Sequence, residues 1–327
     1  MSHRIRFLAL ALICSLLALW ATAALWIDGP ESRTIAGGLV ALYLLLSATL
    51  LGALPSRRLG LLGFAGLFVA VLLWWTFLPP SNERAWMPDV ARAAVATREG
   101  DLLTIHNVRN FHYRSETDFD ENWETRTWDL AKIRGVDFVL SYWGSPLIAH
   151  TIVSWRFEDE PPLAISIETR KEEGEAYSAL LGFFRQFELY YVVADERDVL
   201  GIRTHHRGEE VYMYHLAMKP DLARALLLDY VEGFNALARD PAWYNAFSQN
   251  CTTTIRLHLQ HLGGGRFWDW RILANGKIDE LGYERGSIGN SLPFAEMRER
   301  SRIDLKLEDT PLDELYSVRV REGLPEG

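Results

Sequence analysis

The stretch 243-WYNAFSQNCTTTIRLHLQHL-262 decides how the chain reads. Polar Gln249 and Asn250 lead into Cys251, and apolar Ile255, Leu259 and Leu262 follow at helical spacing. The spacing predicts a helix entered from a loop, with Cys251 in its first turn. A thiol there feels the positive end of the helix dipole, which favours the thiolate over a reference pKa of about 8.5. Taken alone, a single cysteine is more often a small inert hydrophobe than a nucleophile, so the rest of the chain has to decide. The only other cysteine, Cys14, lies in an apolar run near the N-terminus.

Three charge-free runs, residues 7–27, 35–54 and 59–78, each have about the twenty residues that a hydrocarbon core requires. Arg4 and Arg6 precede the first and Arg57 and Arg58 separate the second from the third. Asp28, Glu31 and Arg33 lie between the first and second. The positive-inside rule then puts the N-terminus in the cytoplasm and everything after Pro79 and Pro80 outside. The sequence therefore predicts a membrane anchor of three transmembrane helices over 1–80, a connector over 81–100 and an outward-facing α+β domain over 101–327. Ala21-Thr22-Ala23 also resembles a cleavage site, and a cleaved first run would leave the same outward face.

Outward placement bears on Cys251, because an oxidising compartment pairs cysteines and this one has no partner. A net charge of −9 without a basic stripe argues against nucleic acid as a partner. The acidic, aromatic stretch 116–129 lacks the spacing of a calcium loop and reads as a solvated surface. No cofactor is expected. A metal held by histidines with Cys251 is disfavoured, since His258 and His261 lack the usual paired-ligand spacing.

From residue 101 the chain changes to short β-prone segments. Val153, Trp155 and Phe157 alternate on one face, the Pro-rich turn 158–162 reverses the chain, and Leu163, Ile165 and Ile167 follow. The two runs predict an antiparallel hairpin with His150 at the mouth of its first strand. Helices are expected from Pro88, over 171–187 and over 220–239, the last with Pro220 in its first turn and Leu226, Tyr230 and Phe234 along one side. Strands are expected at 189–194, 199–204 and 211–216, and Gly263-Gly264-Gly265 is expected to end the Cys251 helix.

A thiol nucleophile needs a base and a group that orients the base. His258 and His261 are about two turns or more from Cys251 along the helix, too far to serve. His150 on the hairpin is the candidate base, with Glu168 on the neighbouring strand as its orienter.

Five ordered blocks carry a family resemblance. They are Arg109-Asn110-Phe111 with Tyr113; Ala149-His150-Thr151; Ser166-Ile167-Glu168-Thr169-Arg170; Glu196-Arg197-Asp198 with Arg203; and Tyr244-Asn245 with Asn250-Cys251-Thr252-Thr253. Together they resemble the Lnb-type N-terminal periplasmic domain, and the layout is similar to the circularly permuted NlpC/P60 branch of the papain-like fold. The resemblance implies an antiparallel sheet packed on helices, and a bacterial inner-membrane protein whose soluble domain faces the periplasm. It further implies Cys251 as nucleophile, His150 as base and Glu168 as third member, although Ser166 shares the strand face of Glu168. Asn250, Ser166, Arg170, Glu196 and Arg203 are expected to line the cleft, with an ion-pair lattice beneath it as the alternative role of Arg170, Glu196 and Arg203.

The expected function is a thiol hydrolase or acyltransferase acting through an acyl-enzyme on an amide or ester of the cell envelope. Its partners would be the lipid bilayer and an envelope substrate or secreted protein. The alternative is a non-catalytic domain of the same shape that binds envelope components or assists another protein's maturation.

Overall fold

The computed structural model describes residues 3–263, 269–289, 291–307 and 310–326. Gly264 and Gly265 lie outside them. The chain forms two compact units, Met1–Ser81 with Tyr177–Phe187, and Asn82–Ala176 with Glu188–Gly327.

In the first unit, helices α1 (His3–Ile27), α2 (Arg33–Ala48) and α3 (Arg57–Thr76) are long and apolar enough to cross a membrane. Leu8, Leu45 and Leu62 point outward, while Ala21, Ala24, Tyr43 and Val71 are buried between the helices. Side chains directed outward are as apolar as those inside, as expected where lipid replaces water.

In the second unit the strands are β1 (Val95–Glu99), β2 (Leu102–Arg109), β3 (His112–Tyr113), β4 (Phe119–Asp120), β5 (Trp123–Asp129), β6 (Ile133–Tyr142), β7 (Ala149–Phe157), β8 (Leu163–Arg170), β9 (Glu188–Asp195) and β10 (Glu210–His215). The main sheet runs β1-β2-β9-β8-β7-β6-β10, with β5 also paired to β2. Every pairing is antiparallel except the single parallel contact of Arg109 with Ala194. β3 and β4 form a separate small hairpin.

The period-2 pattern of β7 serves both faces of this sheet. Trp155 turns toward α5 (Pro220–Arg239), donating its indole N–H to the Ala223 carbonyl at 2.9 Å and packing edge-on to Tyr230. Ile152 turns the other way, into a core with Ala164, Val192 and Met213 that Ile303, Leu307, Tyr316 and Val320 cover. The sheet is therefore sandwiched, and its central strands are buried on both faces. That second layer carries one buried ion cluster. Arg321 donates from Nε to Asp137 Oδ2 at 2.9 Å and from Nη1 to Glu196 Oε2 at 2.8 Å, and both carboxylates are fully buried.

Three expected elements differ. The helix from Pro88 is a single turn, Pro88–Val90, followed by β1, because Val95–Glu99 finds β2 as a pairing partner. Tertiary pairing outweighs the helix propensity of its alanines. Residues 199–204 are no strand: Asp195 caps the short helix α4 (Glu196–Val199) through the Arg197 amide, and a π-type turn follows over Ile202–His206. The stretch 171–187 contains one short turn, Leu181–Phe183, rather than a helix.

Candidate active site

α6 (Cys251–His261) starts where its sequence indicates, and the cap supplies the reason. The Asn250 side-chain oxygen accepts from the Thr253 amide at 2.9 Å, and the Thr253 hydroxyl accepts from the Asn250 amide at 2.9 Å. This reciprocal cap fixes the first turn. Asn250 is thus a capping residue. The amides of Cys251 and Thr252 are among those that a helix cannot satisfy internally.

His150 comes from the start of β7, and the β7–β8 register, continued by two residues from Ile152 opposite Ser166, sets it across from Glu168. His150 Nε2 lies 2.6 Å from Ser166 Oγ and 3.0 Å from Glu168 Oε1. The Ser166 hydroxyl donates to that same oxygen at 2.7 Å, and Arg203 Nη2 donates to it at 2.9 Å. Arg203 also reaches Glu209, which accepts from the Ser141 hydroxyl. Nε2 is therefore occupied, leaving Nδ1 as the ring nitrogen for the sulfur.

Four groups surround the Cys251 sulfur. His150 interacts with it by hydrogen bond and by charge. Buried Thr151 offers its backbone N–H and a hydroxyl that has no other partner. Thr252 Oγ1 lies at 3.8 Å and Asn275 Nδ2 at 4.0 Å. The cysteine itself is half-buried.

The electrostatics follow from these contacts. Burial pushes the Cys251 thiol up, but His150 and Thr151 outweigh it and bring the pKa down to about 7. Burial pushes His150 down, yet Glu168 and the thiol outweigh burial and Arg203, raising it to about 9. Burial would also raise Glu168, but His150, Arg203 and Ser166 hold it well below the usual carboxylate range. Near neutral pH the site is then an imidazolium beside a partly ionised thiol, with the carboxylate charged.

Two residues of the site were not foreseen. Asn275 is buried and receives the Ala149 amide on Oδ1 at 2.9 Å, while its Nδ2 donates to the Ala149 carbonyl at 2.5 Å and to Thr252 Oγ1 at 2.6 Å. It ties the start of the histidine strand to the start of the cysteine helix. Gly276 follows it, and a β-carbon there would meet the Pro146 carbonyl oxygen at 2.3 Å and the Ile148 nitrogen at 2.8 Å. An Asn-Gly pair signals a tight turn, which was the one available sequence clue. Thr151 was visible only as a strand residue.

Arg170 and Glu196 are not brought to the sulfur. Arg170 donates to the carbonyls of Val90 and Ala91 and to Asn82, and its guanidinium stacks 4.3 Å from the Trp86 ring. Glu196 accepts from Ser154 and Arg321. Glu196 thus lies in the buried ion cluster and Arg170 is held by carbonyls and an aromatic ring, whereas Ser166 and Arg203 stand around Glu168.

Residues 119–276 match the family model described as the Lnb N-terminal periplasmic domain. The matched stretch contains four of the five blocks quoted above and ends on Gly276, while the block at Arg109 precedes it. No curated protein and no solved structure matches the chain.

Proposed function

We propose that this protein is a membrane-anchored, papain-like cysteine hydrolase or acyltransferase of the bacterial periplasm, working through an acyl-enzyme on an amide or ester of the cell envelope. The observation that carries this reading is the convergence of Cys251, His150 and Glu168 from a helix start and two neighbouring strands. In it, the Cys251 thiolate attacks the substrate carbonyl carbon and forms the thioester. The His150 imidazolium passes its proton to the departing amine or alcohol. Water or a second nucleophile then gives a proton of its own to the neutral His150 as it displaces the sulfur, which leaves as thiolate. Glu168 and Ser166 hold the ring with Nδ1 toward sulfur, and the amides of Cys251 and Thr252 are suited to the developing oxyanion.

Support for an apolar substrate comes from a cavity lined by Thr252, the residue after the nucleophile, and not by Cys251 or His150 themselves. The cavity measures about 520 Å³ and its other walls include Phe138, Val153, Leu226, Ile255 and Leu259. Such a cavity suits an aliphatic acyl chain better than a polar peptide. The three helices keep the domain at the inner membrane, where acylated lipids and lipoproteins are at hand.

The test is chemical. Full-length protein in detergent is exposed to a thiol-directed electrophile at pH 7, and Cys251 should react well above the rate of free cysteine, more slowly once His150→Ala is introduced. Protein recovered from envelopes should carry a hydroxylamine-labile adduct on Cys251. Free-thiol reactivity in the folded wild type, or full complementation of a deletion strain by Cys251→Ser, would transfer the function to the binding alternative.

A further inference from the structure

A second cluster lies farther along α6. His258 and His261, three positions apart, share one helix face, and Asp229 of α5 stands opposite them. His258 Nδ1 is 2.5 Å from Asp229 Oδ2, and His261 Nδ1 is 3.1 Å from the same oxygen. One ligand atom from each residue falls within a 4.8 Å span. We propose that Asp229, His258 and His261 form a binding site for a divalent transition ion of the zinc type, separate from the thiol site.

Two features favour a built site over a chance pairing of histidines with an acid. His258 is oriented from outside the cluster: its Nε2 hydrogen-bonds the Tyr191 hydroxyl at 2.7 Å, and the Tyr230 ring stacks on it at 4.1 Å. An outer hydrogen bond on the far nitrogen is what metal-ligating histidines usually have, and a hydroxyl can serve either tautomer. Finally, His261 is half exposed while His258 is nearly closed off. An ion can thus enter from solvent and keep water in its remaining position.

Two imidazole nitrogens and one carboxylate select zinc-like ions over magnesium or calcium, which prefer all-oxygen shells. Entry of the ion moves the Nδ1 proton of His258 to Nε2, where Tyr191 then accepts it. The Asp229–His258 contact opens toward the ~3.3 Å separation of two ligands sharing a tetrahedral ion. The bound ion would clamp α6, whose first residue is Cys251, onto α5.

The test uses the full chain in detergent with Cys251→Ser, so that no thiolate can compete. Zinc chloride and cobalt chloride are titrated by calorimetry and by cobalt d–d absorption, with magnesium chloride as comparison. Expected are one saturable zinc site, a tetrahedral cobalt spectrum, a higher unfolding temperature with zinc, and no response to magnesium. His261→Ala, at a half-exposed position, should abolish binding while leaving the metal-free unfolding temperature unchanged. Tyr191→Phe should weaken binding about 10–100-fold. No saturable zinc site, or one that His261→Ala leaves intact, overturns the proposal.

Discussion

His150 Nε2 and Glu168 Oε1 lie 3.0 Å apart, and that one carboxylate oxygen is also the acceptor for Ser166 and Arg203. A single atom therefore sets the orientation of the imidazole, its charge and the position of a buried guanidinium.

The first prediction concerns pH. With the thiol at about 7 and His150 at about 9, the thiolate is present above the lower value and the imidazolium below the upper one. Labelling of Cys251, followed by peptide mass, should rise through about pH 7 and then level off. Turnover of an acyl substrate should fall again above about pH 9. His150→Ala should move the labelling inflection up toward that of an ordinary thiol at about 8.5, cutting the thiolate fraction at pH 7 by roughly fifteenfold.

Glu168→Gln removes the charge that raises His150, leaving only the thiol against burial and Arg203, which both lower it. Cys251 labelling at pH 7 should drop toward the His150→Ala rate, and thermal unfolding should show about 1–3 kcal/mol of lost stability from the Arg203 group left underpaired. Ser166→Ala leaves the direct His150–Glu168 contact in place and should slow labelling far less. Equal effects of the two substitutions would contradict this division of roles.

Asn275→Ala takes the side-chain partner from the Ala149 amide, the Ala149 carbonyl and Thr252. Each buried group left unpaired costs about 1–3 kcal/mol. The denaturant midpoint should fall, and Cys251 labelling should slow even at temperatures where the protein remains folded, because the two halves of the site lose their tie. Unchanged labelling would make Asn275 a purely structural residue.

Gly276→Ala should act on the same tie from the other side. The added carbon meets backbone atoms of Pro146 and Ile148, which cannot rotate away as a side chain can. A loss of about 1–3 kcal/mol is expected. Gly286→Ala, at φ +67° with open space around it, should strain its own backbone and leave Cys251 labelling alone.

Much of the fold was legible where periodicity and punctuation agree. Pro220 and the stripe Leu226, Tyr230, Phe234 fixed α5, alternation fixed β7 and β8, and the polar pair Gln249 and Asn250 ahead of the apolar spacing marked the start of α6. Legibility failed where a partner elsewhere in the chain decides the conformation, as for Val95–Glu99, which is a strand only because β2 lies beside it. The site divides the same way. Cys251, His150 and Glu168 stood out through the family blocks, whereas Asn275 acts on Ala149 across 126 positions, a contact that no local pattern encodes.

Arg321 gives the ion cluster under the sheet a practical meaning. A shortened version cut to the matched stretch, 119–276, would retain the buried pair Asp137 and Glu196 and discard Arg321, the one cation among the described residues that touches both. Asp137 would keep Arg156 and His215, but buried Glu196 would lose the guanidinium that pairs with it, and β1 and β2 would be gone as well. Such a fragment should be recovered as insoluble material, whereas one running from residue 82 through 326 should not. On that outcome the portion recognisable by family likeness is not an autonomous folding piece, and its solubility is decided at the far end of the polypeptide.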